Sequence, residues 1–244
     1  MTITLNRPDV LNALNTSTHK ALGAALRDAR ADEVRAVVLT GAGRGLCVGQ
    51  DLTEFQEAAG DIAGRLRETY HPNVRAIRAL EKPVIAAVNG AAAGAGLSLA
   101  CACDIRIASD TATFVPAFIN IGLVPDSGGS YFIARLLGPA RAFEWMSSGR
   151  RLSAAEAHAW GLVSEVVEAD ALPTRAAVLA AQLAGLPTRG IGMTKRLFDA
   201  APTATLEEQL EREAQLQAAA TQTEDFGEGV TAFLEKRPPK FSGR

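Results

Sequence analysis

The 244 residues carry 25 basic and 27 acidic side chains, a formal net charge of −2, and nothing in that balance calls for a nucleic acid or an anionic membrane as partner. Hydrophobic residues make up 48% and charged residues 21%, the range of a water-soluble chain able to bury one large core, alone or with a small appendage. Cys47, Cys101 and Cys103 have no framework spacing, and MTITLNRPDV lacks a basic segment leading into an apolar one, so a reducing cytoplasm is expected rather than secretion.

In chain order, TITL (2–5) reads as a short strand. Residues 17–31 have helical periodicity, with Leu22, Ala25, Leu26 and Ala29 on one face. RAVVLT (35–40) is a continuous apolar strand of the buried parallel kind, and GAGRGLCVGQD after it is a glycine-rich loop. A helix is expected over 72–80. The longest uncharged run, Pro83 to Cys103, divides into a buried strand (PVIAAVNG), a tight turn and a helix entered through small residues (GAGLSLACACD). A membrane span is disfavoured there, because Asn89, three glycines and many alanines supply little transfer energy. IRIAS is a strand, 127–137 a helix, and 153–160 a helix whose Ser153 and Glu156 match capping-box spacing. LVSEVV is a late strand, and from Leu172 the chain is almost all helix. Leu206, Leu210, Glu213 and Gln217 share one row of the 205–220 segment, a narrow apolar face that suits a solvated helix or one packed on another subunit. Strands alternating with helices, then helices alone, define an α/β chain without internal repeat or low-complexity linker.

Several site types fall away. No G-x-x-x-x-G-K-[ST] loop occurs. In TGAGRGLCVG, Leu46 stands where a dinucleotide-binding turn needs its third glycine. His19, His71 and His158 are isolated, and Cys101-x-Cys103 has no partner pair, so no metal is expected. GLSLA (96–100) approximates a nucleophile elbow with Ser98, but the turn is already made by residues 90–96, which puts Ser98 inside the helix.

Two glycine-rich loops remain, GAGRGLCVGQDL and NGAAAGAGLSLA, each after a buried strand. Small residues let a backbone approach a ligand closely. Two such loops presenting N–H groups to one point could form an oxyanion hole, aided by the dipole of the helix that begins at the second. Asp126 is the other unusual feature: apart from the Tyr131 phenol, no other acid or base lies between Asp110 and Arg135. It serves either as the N-cap of the helix that follows or as a catalytic carboxylate.

The sequence resembles the crotonase (enoyl-CoA hydratase/isomerase) family over nearly its whole length. The matching stretches are ITLNRPDVLNAL, GRGLCVGQDL, KPVIAAVNGAAAGAGLSLACACDIRIAS, GLVPDSGGSYFIARLLG, LSAAEAHAWGLVSEVV and EGVTAFLEKRPPKF. Family members carry a further strand before the first of these, so a longer native N-terminus is expected. The resemblance implies a ClpP/crotonase-like α/β fold of repeated ββα turns, with a core over 1–185 and a helical trimerisation region over 186–244. It implies an acyl-CoA thioester as substrate, coenzyme A being part of it, no separate cofactor, and a homo-oligomer that is a trimer or a dimer of trimers. By motif, the thioester oxygen would sit between the backbone N–H groups of Gln50 and Ala95, each worth on the order of 3 kcal/mol in the transition state. Val48, Asp51, Leu52, Gly94, Ser98 and Phe118 would line the substrate site, part of the 53–72 stretch would line the acyl pocket, and Phe233 and Lys236 would reach a CoA in a neighbouring subunit. The two glutamates of a hydratase fall at Ser98 and Phe118 here, so neither carboxylate is present. Members without that pair that place an aspartate at Asp126 include isomerases of ring epoxides and of enoyl double bonds. The resemblance therefore implies an isomerase with Asp126 as the proton carrier and Phe118 as part of a wall that excludes water; the alternatives are a hydratase, another acyl-CoA enzyme such as a dehalogenase with Asp126 as nucleophile, or a non-catalytic acyl-CoA-binding partner subunit.

Overall fold

The computed structural model of the chain describes residues 1–57 and 60–244; residues 58 and 59, within the 53–72 stretch, lie outside the described residues. Strand β1 (Thr2–Leu5) leads to α1 (Thr16–Asp28), whose N-cap Asn15 accepts the Thr18 N–H. Strands β2 (Val37–Gly41) and β3 (Gly45–Cys47) follow, then α2 (Leu52–Glu57), α3 (Ile62–Arg65) and α4 (His71–Ala79). The pair β4 (Val84–Val88) and β5 (Ala91–Ala93) feeds α5 (Ala95–Ala102). Strands β6 (Ile105–Ser109) and β7 (Thr113–Val115) precede α6 (Gly129–Leu137) and α7 (Pro139–Ser148). Then come β8 (Leu152–Ser153), α8 (Ala154–Ala159) and β9 (Glu165–Val167). The chain finishes in α9 (Leu172–Ala184), α10 (Thr188–Ala200), α11 (Leu206–Ala220) and α12 (Glu224–Leu234).

The strands form two sheets. One is parallel throughout, in the order β1-β2-β4-β6-β9; the other runs β3-β5-β7-β8, with only β8 antiparallel. Each of the pairs β2–β3, β4–β5 and β6–β7 contributes one strand to each sheet, so a repeated ββα turn builds both layers at once. Every residue of β4 is buried, as a strand covered on both faces requires. Val84, Ala86 and Val88 join the large core that runs under α5 and α6, while Ile85 and Ala87 meet Leu172 and Ala176 of α9 on the other face. The uncharged Pro83–Cys103 run is thus spent on two strands and a buried helix, and no helix among the described residues is long and apolar enough to cross a membrane.

Three sequence expectations need correction, and three elements were not read. Both glycine-rich loops contain a strand, β3 and β5, that pair with each other; the three-residue stretches GLC and AAA carry no periodic signal. Helix α7 and strands β7 and β8 were not legible for the same reason of length or mixed pattern. Helix α6 begins at Gly129, because Ser127 (φ 52°) and Gly128 (φ 82°) are both left-handed. Lys236 lies beyond the end of α12, in a left-handed conformation (φ 55°), rather than in the helix.

Candidate active site

The first glycine segment is held in place by Asn12, 1% exposed. Its Nδ2 donates to the carbonyls of Ala42 (2.9 Å) and Gly45 (2.8 Å), and its Oδ1 accepts the Arg7 N–H (2.8 Å). Arg7 also pairs with Asp51 at 2.8 Å, and the Asp51 carboxylate accepts the Thr53 hydroxyl at 2.7 Å. Asp51 is therefore occupied in closing the segment. Leu52, at the first turn of α2, is 54% exposed beside it. The second segment approaches so closely that a Cβ on Gly96 would lie 2.2 Å from the Cys47 carbonyl oxygen. At Gly49 (φ 95°) a Cβ would meet Ala93 O at 3.1 Å and the Ala95 nitrogen at 3.2 Å. Glycine is required at both points.

Peptide geometry then aims two amides. The Gly49 carbonyl accepts the Leu14 N–H at 2.7 Å, and in a trans peptide the Gln50 N–H points the opposite way. The Gly94 carbonyl accepts the Ser98 N–H at 3.1 Å, which turns the Ala95 N–H outward from the start of α5. Among the described residues neither the Gln50 nor the Ala95 N–H has an acceptor. Two free donors on adjacent segments, one of them at a helix N-terminus, can hold an oxygen on which negative charge develops. The Val48 N–H is used otherwise, donating to Leu11 O, and its own carbonyl faces Gly94.

Asp126 lies in the turn ahead of α6. The N-cap position belongs to Gly128, and no side chain caps that helix. What Asp126 gives the helix is its main-chain carbonyl, which accepts the Gly129 N–H at 2.7 Å. Among the described residues its Oδ1 is buried without a partner, as is Ser127 Oγ. Burial pushes the Asp126 carboxyl above the usual carboxylate range, against the weaker opposing pull of the Ser127 hydroxyl and of His71. The Ser127 hydroxyl makes no hydrogen bond of regular geometry to Asp126, so its pull is slight. Two successive left-handed residues, one of them a serine, hold this turn, a backbone cost of roughly 1–2 kcal/mol for the non-glycine residue.

The two positions that carry hydratase glutamates by motif are filled otherwise. Ser98 is fully buried, its hydroxyl donates to Gly94 O at 3.4 Å, and it packs where a Cβ on Gly129 would come within 2.5 Å of it. His158 is engaged with the Val163 carbonyl, so no serine–histidine pair forms. Phe118, 6% exposed, brings its ring tip to about 4.0 Å of the Cβ direction of Gly94 and walls the hole with hydrocarbon. Phe233, 82% exposed, lies apart on α12, and Lys236 just past it.

Sequence reasoning missed Tyr70. It is 3% exposed, its hydroxyl is buried without a partner, and its ring meets His19 edge-on at 4.0 Å. Burial raises its phenol pKa most, and the charge of nearby Asp126 raises it further. His19 is held by Asn73, whose Nδ2 reaches both its Nδ1 (3.2 Å) and its carbonyl (3.1 Å). Burial, with Arg65 adding to it, lowers the His19 pKa to about 4, so the ring is neutral at pH 7. One signal for Tyr70 was in the sequence: Pro72, two residues on, cannot donate to Glu68 O. The helix widens there to a π-turn over Leu66–Tyr70, with the His71 N–H bonded to Leu66 O, and such turns cluster at functional sites.

Two sheets sharing ββα turns, with free amides where paired glycine segments meet and a carboxylate, Asp126, that holds one oxygen buried and partner-free, are suited to holding a carbonyl oxygen while a proton moves. The family model described as "Enoyl-CoA hydratase/isomerase" matches residues 1–244. The chain is 45% identical over 249 residues to the 1,2-epoxyphenylacetyl-CoA isomerase of Escherichia coli (strain K12), covering 100% of this chain and 95% of that one. It is 46% identical over 242 residues to the "Probable enoyl-CoA hydratase" of Rhodobacter capsulatus, covering 99% and 94%. A crystal structure from Mycobacterium abscessus, described as an enoyl-CoA hydratase/isomerase, superposes with a TM-score of 0.94 at 42% identity, covering 100% and 95%. The chain belongs to the enoyl-CoA hydratase/isomerase, or crotonase, family and has its fold.

Proposed function

We propose that this crotonase-family enzyme is an acyl-CoA isomerase. The Gln50 and Ala95 amides hold the thioester oxygen, and Asp126 takes a proton from the α-carbon and returns it elsewhere as the enolate collapses. The observation that carries this reading is the buried, unpartnered Oδ1 of Asp126 in a chain where Ser98 and Phe118 replace the glutamate pair. A single carboxylate suits proton transfer between carbons; hydration needs a second group to activate water. Ring-epoxide isomerisation of 1,2-epoxyphenylacetyl-CoA is the first candidate reaction, supported by the 45% identity to that isomerase, and 3-enoyl-CoA isomerisation the second. The helices of 186–244 form the oligomerisation region of this reading, supported by the exposure of Phe198 (74%), Leu206 (68%), Phe233 (82%) and Leu234 (73%). Phe233 and Lys236 would then meet a CoA bound in a neighbouring subunit.

The purified protein is tested against three substrates. Conversion of 1,2-epoxyphenylacetyl-CoA or of a 3-enoyl-CoA supports the proposal; hydration of crotonyl-CoA as the sole activity overturns it. A second reading, hydrolytic dehalogenation with Asp126 as nucleophile, draws on the same partner-free carboxylate oxygen and on 35% identity to the 4-chlorobenzoyl coenzyme A dehalogenase-2 of Arthrobacter sp. It predicts an aspartyl ester visible by mass spectrometry during turnover of a haloaryl-CoA, which the isomerase reading does not.

A further inference from the structure

We infer that the acyl pocket is built for an acyl group bearing its own oxygen, separate from the thioester carbonyl, and that the Tyr70 hydroxyl is the donor that recognises it. The inference rests on the acyl-CoA reading above and deepens it. A buried hydroxyl without a partner is uncommon, because leaving a donor unpaired away from water is costly. Tyr70 has that condition, and it is not an accident of a loose side chain. Its backbone is fixed by the π-turn ahead of Pro72, and its ring is wedged against His19, which Asn73 anchors through two hydrogen bonds.

The natural protein acceptor for such a donor is a carboxylate. Asp126 is near enough to raise the Tyr70 pKa, yet its Oδ1 is equally unpartnered and the two groups form no hydrogen bond. An acyl group seated at Asp126 would have the base at its acidic C–H and the Tyr70 donor within electrostatic reach of the same carboxylate. The thioester oxygen has its two amides at Gln50 and Ala95, so Tyr70 remains for a different acceptor. An acyl group with an acidic C–H near an ether, epoxide or hydroxyl oxygen satisfies both groups at once; a plain hydrocarbon chain leaves the Tyr70 hydroxyl buried and unpaired. With Asn73 donating to Nδ1, the neutral His19 ring carries its proton on Nε2, also without a partner, which makes the donor character of this wall stronger.

The test uses two unreactive esters, phenylacetyl-CoA and 2-hydroxyphenylacetyl-CoA, titrated calorimetrically into the wild type and Tyr70→Phe. The wild type is expected to bind the hydroxylated ester about tenfold more tightly, the worth of one net hydrogen bond at a dry site. Tyr70→Phe should erase that preference to within about twofold, leave phenylacetyl-CoA binding unchanged, and melt no lower than the wild type, since it loses only an unpaired oxygen. A preference retained in Tyr70→Phe, or none in the wild type, overturns the assignment while leaving the Asp126 isomerase intact. Failure of both esters to bind the wild type overturns the acyl-CoA reading itself, and this assignment with it.

Discussion

Replacing Asp126 by asparagine separates its chemistry from its structural part, because the two respond with opposite signs. The substitution keeps the side chain's shape and removes the charge. If the carboxylate is the proton carrier, turnover should fall by on the order of a hundredfold or more, a barrier increase of about 3 kcal/mol. Folding should respond the other way. Burial raises the carboxyl pKa in the folded state above its ordinary value of 3.8. Between those two values the folded state holds the proton more tightly than the unfolded chain does. Stability therefore falls as pH rises through that window, and the ionised group remains a cost at pH 7. Asp126→Asn removes that cost, so the variant should be at least as stable as the wild type in urea at pH 7, and the difference should vanish below about pH 4. A helix cap would behave differently: asparagine would keep its acceptor, and only Asp126→Ala would lose about 1 kcal/mol. Activity follows the same titration: the wild-type rate should drop with falling pH at a value above the ordinary carboxylate range, and the residual rate of the variant should not. Initial rates on a 3-enoyl-CoA or an epoxyphenylacetyl-CoA, with urea unfolding at both pH values, give every quantity. Wild-type turnover in Asp126→Asn, or an Asp126→Ala variant about 1 kcal/mol less stable than the wild type at pH 7, refutes the argument.

Further substitutions test the parts around it. Gly96→Ala puts a methyl group against the Cys47 backbone, so it should cost about 1–3 kcal/mol in urea unfolding and weaken acyl-CoA binding by prising the two glycine segments apart. Gln50→Ala should change acyl-CoA affinity by less than about threefold, since the donor is main chain and the Gln50 Nε2 has no partner to lose, whereas Ala95→Leu should abolish binding in the same titration. Asp104→Ala leaves Lys195, 2.9 Å away, as a buried cation without a counter-charge, and Arg78, 2.7 Å away, with Asp199 alone; a loss of about 3 kcal/mol by denaturation is expected, with KM little changed.

Sequence alone determined what depends on local composition and on runs long enough to show a period. The buried strands RAVVLT and PVIAAV, the small-residue helix after them, the capping box at Ser153 and Glu156, and the helical C-terminal third are all present, because contiguous apolar residues and cap chemistry act over a few positions. The family motifs, read in order along the chain, led to the right fold and pointed to the two glycine segments and Asp126. Tertiary structure decided which groups face one another. Strands β3 and β5 are three residues each and exist because they pair with one another, so nothing local announces them. That Asp126 does not cap α6 follows from Ser127 and Gly128 turning left-handed, a choice fixed by the close packing of Gly129 on Ser98 across two helices. Tyr70 is positioned by the π-turn over Leu66–Tyr70 and by its contact with His19, which lies on a different helix far earlier in the chain. Burial of an unpaired hydroxyl or carboxylate is a property of the surroundings, and those are assembled only when segments distant in sequence come together.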